Sequence, residues 1–256
     1  MEIVNVIAIT QARIGSTRLP SKVLKKIGNN TLLEIHLNRI NKAQCISNII
    51  VATTINIEDD AIEELINPLR FTLYRGSEND VLDRFYSAVK DIKPDYIVRL
   101  TSDCPLIDPQ LIDDIVNKTI QSKVDYCSNT LLDSYPDGQD IEVFTFKALE
   151  IAWQKANLLS EREHVTPYIK KNSSFNKGSE FMSINVNSEN EKYKDVRMTV
   201  DEPKDLEMVS LLIQELGEDD TWKNYAELYL NNEKIHSLNK NILRNEGYLK
   251  SIKNDN

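Results

Sequence analysis

The chain has 256 residues, enough for one α/β domain with an appendage and a sizeable core. Its 31 Lys and Arg stand against 40 Asp and Glu, a formal charge of −9 that excludes a general electrostatic grip on nucleic acid, so any anion site must be local. No apolar run approaches the roughly 18 residues of a membrane span, and the first residues run into a strand without a signal-peptide pattern; a soluble, cytoplasmic protein with no membrane partner is expected. Cys45, Cys104 and Cys127 are widely spaced and form no CxxC pair, which argues against a disulfide framework and a structural zinc site.

Short β-branched runs alternate with longer helical patterns through the first half, the sign of a mostly parallel sheet with crossover helices. Strands are expected at 5–10, 48–54, 71–75, 96–101 and 125–128. Thr31, with Glu34 three positions on, is a capping-box start for a helix carrying Leu32, Leu33, Ile35, Leu37 and Ile40. Asp80 reads as the cap of "VLDRFYSAVK", and Asp108 with Pro109 as the start of the next helix. Further on, "IEVFTF" alternates like a strand, and "FKALEIAWQKA" and "EREHVTPYIKK" are helical, with Pro167 bending or shortening the second. "FMSINV" and "RMTV" read as strands, and Pro203 stands near the start of an amphipathic helix. Residues 129–140 and 172–180 are polar and turn-rich and read as flexible covers over a site. Residues 1–216 are expected to form the main domain and 217–256 a helical C-terminal extension, whose Trp222, Tyr225 and Tyr229 make a stripe suited to packing on that domain or on a second subunit.

An open α/β sheet binds ligands beyond the carboxyl ends of its strands, and "QARIGSTRLPSK" follows the first strand. Gly15 allows close backbone approach, Ser16 and Thr17 offer hydroxyls and amides, and Arg13, Arg18 and Lys22 supply charge that a triphosphate would hold together. Composition alone leaves solvated cations on an ordinary loop equally open, and neither the Walker A ending nor GxGxxG is present. Mg²⁺ on a triphosphate needs one or two carboxylates. Asp103 and Asp201 each follow a buried strand, where a turn residue and a helix cap are the competing readings.

"ITQARIGSTRLPSKVL", "LYRGSENDVLDRF", "VRLTSDCPLIDPQLID" and "RMTVDEPKDLEMV" occur in one order and together resemble the cytidylyltransferases that make CMP-activated acidic sugars, the CMP-KDO and acylneuraminate synthetase family. The resemblance is closest to the SpsF-like branch of spore coat polysaccharide biosynthesis, and "SEREHVTPYI" adds to it. It implies a Rossmann-like mixed sheet of the nucleotidyltransferase (GT-A-like) type with flanking helices. It also implies transfer of CMP from CTP to an acidic sugar with release of pyrophosphate, and, by analogy, a homodimer. Residues Ala12, Arg13, Gly15, Ser16, Thr17, Arg18 and Lys22 then fall on the nucleotide-binding loop, with Arg75 and Ser77 facing the base or ribose. Asp103 and Asp201 fall on the Mg²⁺ positions, and Arg13, Arg18 and Lys22 complete the catalytic set. Gln139, Asp140, Glu142 and His164 are implied to face the acceptor; an exposed sheet charge is the alternative for Glu142. Glu202 stands where the family more often has threonine. A glycosyltransferase using a sugar nucleotide and a silent nucleotide-binding scaffold are the rival readings, the first disfavoured because it has no γ-phosphate to hold.

Overall fold

A computed structural model of the chain describes residues 4–244, 246–253 and 255. Its elements run β1 (Val6–Gln11), a short hairpin β2 (Lys26–Ile27) and β3 (Asn30–Thr31), α1 (Leu32–Ile40), β4 (Asn48–Thr54), α2 (Asp60–Leu69), β5 (Thr72–Gly76) and α3 (Val81–Val89). Then follow β6 (Tyr96–Thr101), α4 (Pro109–Ser122), β7 (Tyr126–Ser128), β8 (Glu142–Thr145), α5 (Phe146–Lys155), α6 (Leu159–His164), α7 (Pro167–Lys171) and β9 (Ser183–Asn185). The described chain closes with α8 (Pro203–Leu216), α9 (Trp222–Asn231), α10 (Glu233–Asn239) and α11 (Glu246–Lys253).

The main sheet has the order β5-β4-β1-β6-β8-β7-β9. Strands β5, β4, β1 and β6 are parallel, and β8 runs antiparallel to both β6 and β7. It is thus the mixed α/β sheet that the strand pattern and the resemblance imply. β1 is buried on both faces, as a central parallel strand must be. Val6 and Ala8 pack with α1 and α4 on one side, and Ile7 and Ile9 with α3 and α5 on the other. Because β8 runs backwards, its first residue, Glu142, lies at the same sheet edge as the carboxyl ends of β1, β4, β5 and β6.

Caps form where local chemistry dictates them. Thr31 and Glu34 close a full capping box on α1, Asp80 accepts from Asp83 N, and Asp108 accepts from Gln110 N and Leu111 N. Three expectations need correction. "EREHVTPYIKK" is two helices, α6 and α7, parted at Val165, whose φ of 70° no helix tolerates. "RMTV" builds no ladder strand; Arg197 makes an isolated bridge with Asp137, and Val200 N donates to Asp103 O. Residues 134–139, read as part of a flexible cover, are buried. Asp137 N donates to Val196 O and Met198 N to Asp137 O, so this turn is stitched to the segment that carries Asp201.

Gly138 explains the tightness. Its φ is +105°, and a Cβ there would stand 2.7 Å from Met198 C and Thr199 N, both backbone. Gly138→Ala should therefore cost about 1–3 kcal/mol of stability, measured by denaturant unfolding. An unchanged midpoint and slope would show that the turn can open without loss.

The segment after residue 216 is woven into the body rather than appended. The buried Arg39 side chain on α1 donates to Ile107 O, Glu218 O and Asp220 O, and Trp222 N donates to Asp108 Oδ2. Tyr225 and Tyr229 are fully buried among Leu32, Ile35, Met208 and Leu212, so the aromatic stripe packs on the main domain. No described helix is long and apolar enough to cross a membrane.

Candidate active site

The loop after β1 leaves the sheet at Ala12, which is buried, and folds back so that Ile14 N donates to Asp59 Oδ1 and Ser21 N to Ile14 O. Gly15 passes close to Glu58, where a Cβ would lie 3.2 Å from Oε1. Ser16 is half-buried and Thr17 exposed. The turn delivers Lys22 to the sheet edge. Its Nζ lies 2.9 Å from Asp103 Oδ2 and 2.8 Å from Asp201 Oδ1, although these residues are 81 and 179 positions away. Arg18 Nη2 reaches Asp201 Oδ2 at 3.1 Å. Four of the residues expected to hold a triphosphate and its metal thus meet in one cluster.

The electrostatics follow from that geometry. Burial alone would lower the Lys22 pKa, but the carboxylates of Asp103 and Asp201 raise it above its ordinary value. Burial would likewise raise the Asp103 carboxyl, and Lys22 holds it well below the usual carboxylate range. Asp201 is not the helix cap. Asp205 accepts from the N–H groups of Asp201 and Glu202 at 3.0 Å each, which leaves the Asp201 carboxylate for cations.

Arg197, which the sequence reading did not single out, orients Asp201. Its guanidinium reaches Asp201 Oδ2 at 3.2 Å, Asp137 Oδ2 at 2.7 Å and Asp205 on both oxygens. Asn239 on α10 donates to Asp205 Oδ1 and to Arg197 O, so the C-terminal helices brace the same cluster. His36 is a second unforeseen brace. Its Nδ1–H donates to Cys104 O and its Nε2 accepts from Thr10 Oγ1, while burial lowers its pKa to about 4 and keeps it neutral.

Other expected site residues are elsewhere or already engaged. Arg13 is exposed and pairs with Glu78 at 3.4 Å. Arg75 spends its guanidinium on Thr54 O, Asn56 O, Asp60 and Glu63, locking the β4–α2 connection; the structure does not bring it to the Lys22 cluster. Ser77 Oγ accepts from Asp80 N at the start of α3. The Gln139 side chain is fully buried, accepting from Asp108 N and donating to Leu106 O, so it holds the fold rather than facing a ligand. Asp140 is paired with Arg244 at 2.7 Å.

Glu142 is not the exposed sheet charge of the alternative reading. It is 2% exposed and meets Arg99 Nη1 at 2.6 Å, Lys170 Nζ at 2.8 Å, Tyr126 OH at 2.6 Å and Thr166 Oγ1 at 2.7 Å. Burial would raise its pKa, but Lys170 and Arg99 hold it well below the ordinary range. His164 shares a hydrogen bond with Ser251 Oγ on α11 and meets the Tyr248 ring edge-on.

The donor set suits Mg²⁺. Two carboxylates already converge on one cationic atom, and Mg²⁺ takes one or two carboxylates with phosphate oxygens and water. Among the described residues no group of three or more His, Cys, Asp or Glu forms a protein-only metal cage.

A mixed nucleotide-type sheet with cations from its first loop and carboxylates from the end of β6 and from the extended segment before α8 defines a nucleotidyltransferase architecture. The sequence profile described as cytidylyltransferase matches residues 7–244, and the chain belongs to that family. It is 46% identical over 79% of its length to an uncharacterized protein, MJ1063, of Methanocaldococcus jannaschii, covering 81% of that protein. It is 34% identical over 84% of its length to the spore coat polysaccharide biosynthesis protein SpsF of Bacillus subtilis, covering 88% of it. Among solved structures, a cytidylyltransferase from Leptospira borgpetersenii superposes with a TM-score of 0.81 at 31% identity, over 94% of this chain and 98% of that one. The profile runs 28 residues past the expected boundary at 216, in keeping with the integrated C-terminal helices.

Proposed function

We propose that the protein transfers CMP from CTP to a hydroxyl of an acidic sugar or related acceptor, with Mg²⁺ and with release of pyrophosphate, in the cytoplasmic stages of surface glycan synthesis. The observation that carries this reading is Lys22 bridged between Asp103 and Asp201, with Arg18 on the same carboxylate. In the transfer, the acceptor oxygen bonds to the α-phosphorus as the bond to the β-phosphate oxygen breaks. Pyrophosphate carries the negative charge away, and the hydroxyl proton passes to solvent. The protein's task is positioning and charge stabilisation, without a covalent intermediate. Lys22 and Arg18 would turn to the β- and γ-phosphates and stabilise the leaving pyrophosphate. Asp103 and Asp201 would hold Mg²⁺, which when bound neutralises phosphate charge. Arg197 keeps Asp201 aimed at that point, and the buried turn at Gly138 ties it to the acceptor side.

A thermal-shift titration with CTP, UTP, GTP, ATP and CMP, each with and without Mg²⁺, tests this without knowledge of the acceptor. CTP with Mg²⁺ should raise the midpoint most, and progressively with concentration, because a ligand bound only to the folded state stabilises by mass action. No shift with any triphosphate would sink the reading in favour of a silent scaffold.

A further inference from the structure

The cation cluster offers charge for phosphates but no recognition group for the acceptor, and two buried polar atoms on β1 and β6 have no hydrogen-bond partner among the described residues. The register of β1 and β6 sets Ile9 beside Arg99 and Gln11 beside Thr101. Gln11 and Arg99 are therefore diagonal neighbours on one face of the sheet, at its ligand end. Arg99 Nε and Gln11 Oε1 are both buried and have no hydrogen-bond partner among the described residues. Native folds pair nearly all such atoms, and a charged donor left unpaired is the costlier kind.

The same condition elsewhere has a local explanation or points away from the site. Thr53 faces the other side of the sheet from Ala52, which pairs with Gln11. Arg84 shares the condition, but it bonds Ser77 O from α3 and stands among the charges of Arg13, Asp59, Glu78 and Asp80, away from β6 and β8. The Arg244 guanidinium already holds Asp140 and Tyr135 O.

Among the described residues Arg99, like Arg84, bonds through Nη1 alone, but to a carboxylate, Glu142 Oε2, at the ligand end of the sheet. The Nε edge of a guanidinium is one of the two edges on which a carboxylate can accept two parallel N–H bonds. Arg99 and Lys170 both pair with the single carboxylate of Glu142, so positive charge is gathered at this end of β8. His164 adds none, since burial, and then Arg99, lowers its pKa to about 4. Arg99 lies on β6 four residues before Asp103, and its pairing with Glu142 places it on the β8 side of that aspartate.

We propose that the Nε edge of Arg99, with Gln11 Oε1 beside it, is the subsite that takes the acceptor's carboxylate and one of its hydroxyls. This deepens the CMP-transfer reading and rests on it for the word acceptor. Gln11 Oε1 accepts from a hydroxyl, Arg99 donates to the carboxylate, and neither asks anything of the triphosphate cations.

The test uses the whole chain, ¹⁵N-labelled at arginine, titrated with lactate, a hydroxy acid, and with lactamide, its neutral counterpart. The Arg99 Nε–H resonance is assigned by its loss in Arg99→Lys, which keeps a charge opposite Glu142. Lactate should move that resonance saturably and lactamide should not. Arg99→Gln should weaken lactate binding about tenfold or more, the scale of one charge-assisted hydrogen bond, and leave the Mg²⁺–CTP thermal shift as in the wild type. A resonance that lactate leaves in place, or that lactamide moves equally, overturns the subsite. So does an Arg99→Gln protein that loses the CTP shift but keeps its lactate affinity, because Arg99 would then serve the nucleotide. A wild-type protein whose Arg99 resonance responds to lactate while CTP gives no shift would support the anion subsite and defeat the CMP-transfer reading instead.

Discussion

Asp201→Asn should fold normally and lose Mg²⁺-dependent turnover by roughly 100-fold or more, the scale on which preorganised charge acts in a transition state. The fold is expected to survive because Lys22 and Arg197 each keep another carboxylate. Lys22 retains Asp103 at 2.9 Å, and Arg197 retains Asp137 and the two-point contact with Asp205. Asparagine fills the same space and still accepts a hydrogen bond, and the capping box of α8 is made by Glu202 and Asp205, not Asp201. What disappears is one of two negative charges converging on a single point, and a lone carboxylate there binds a divalent ion far less well. The measurements are a melting curve by circular dichroism, the Mg²⁺-dependent part of the CTP thermal shift, and pyrophosphate release once an acceptor is in hand. A folded variant with wild-type turnover and an unchanged metal-dependent shift would remove Asp201 from the metal site.

The cluster shows which parts of a site are legible in a linear chain. Lys22, Asp103 and Asp201, which the structure brings together, could be singled out because each sits in a recognisable local setting: a Gly and Ser/Thr loop after a strand, and two aspartates each followed two positions on by proline. The caps at Thr31, Asp80 and Asp108 were legible for the same reason, since a cap is satisfied within four residues. Gln139 and Arg75 stood in equally suggestive local settings, yet their hydrogen bonds close elsewhere, to Leu106 and Asp108 and to the β4–α2 connection. Arg39 and Arg99 were missed because each acts on backbone or a carboxylate that chain order does not bring near, and Arg197 because its link to Asp137 spans 60 positions. A signal existed for two of them. Arg99 and Arg197 are charged residues inside the apolar runs "YIVRLT" and "VRMTV", and a charge buried in such a run must be paired or serve a ligand. The C-terminal segment looked detachable because it is polar along much of its length, yet its buried tyrosines and the Arg39 clamp bind it into the core.

Lys22→Ala should weaken CTP binding about tenfold or more in the presence of Mg²⁺ while leaving CMP affinity nearly unchanged. The direction follows from where the side chain can go. Lys22 is held at the sheet edge by two carboxylates that a bound divalent ion would also satisfy, so the ammonium is free to turn to a phosphate when such an ion is present. CMP has only the phosphate that ends up on the product, whereas CTP adds the two that leave. A lysine reading the distal phosphates therefore discriminates between them, and one that only neutralises Asp103 and Asp201 does not. Stability should shift as well. Without Lys22 the two carboxylates face each other, and Asp201 still has Arg18 and Arg197 beside it, so the ligand-free variant should melt below the wild type and recover part of the difference when Mg²⁺ is added. Calorimetric titration of CTP and CMP into both proteins decides the point. Equal loss for the two nucleotides would mean that Lys22 shapes the site without reading the distal phosphates, and the role of holding pyrophosphate would pass to Arg18.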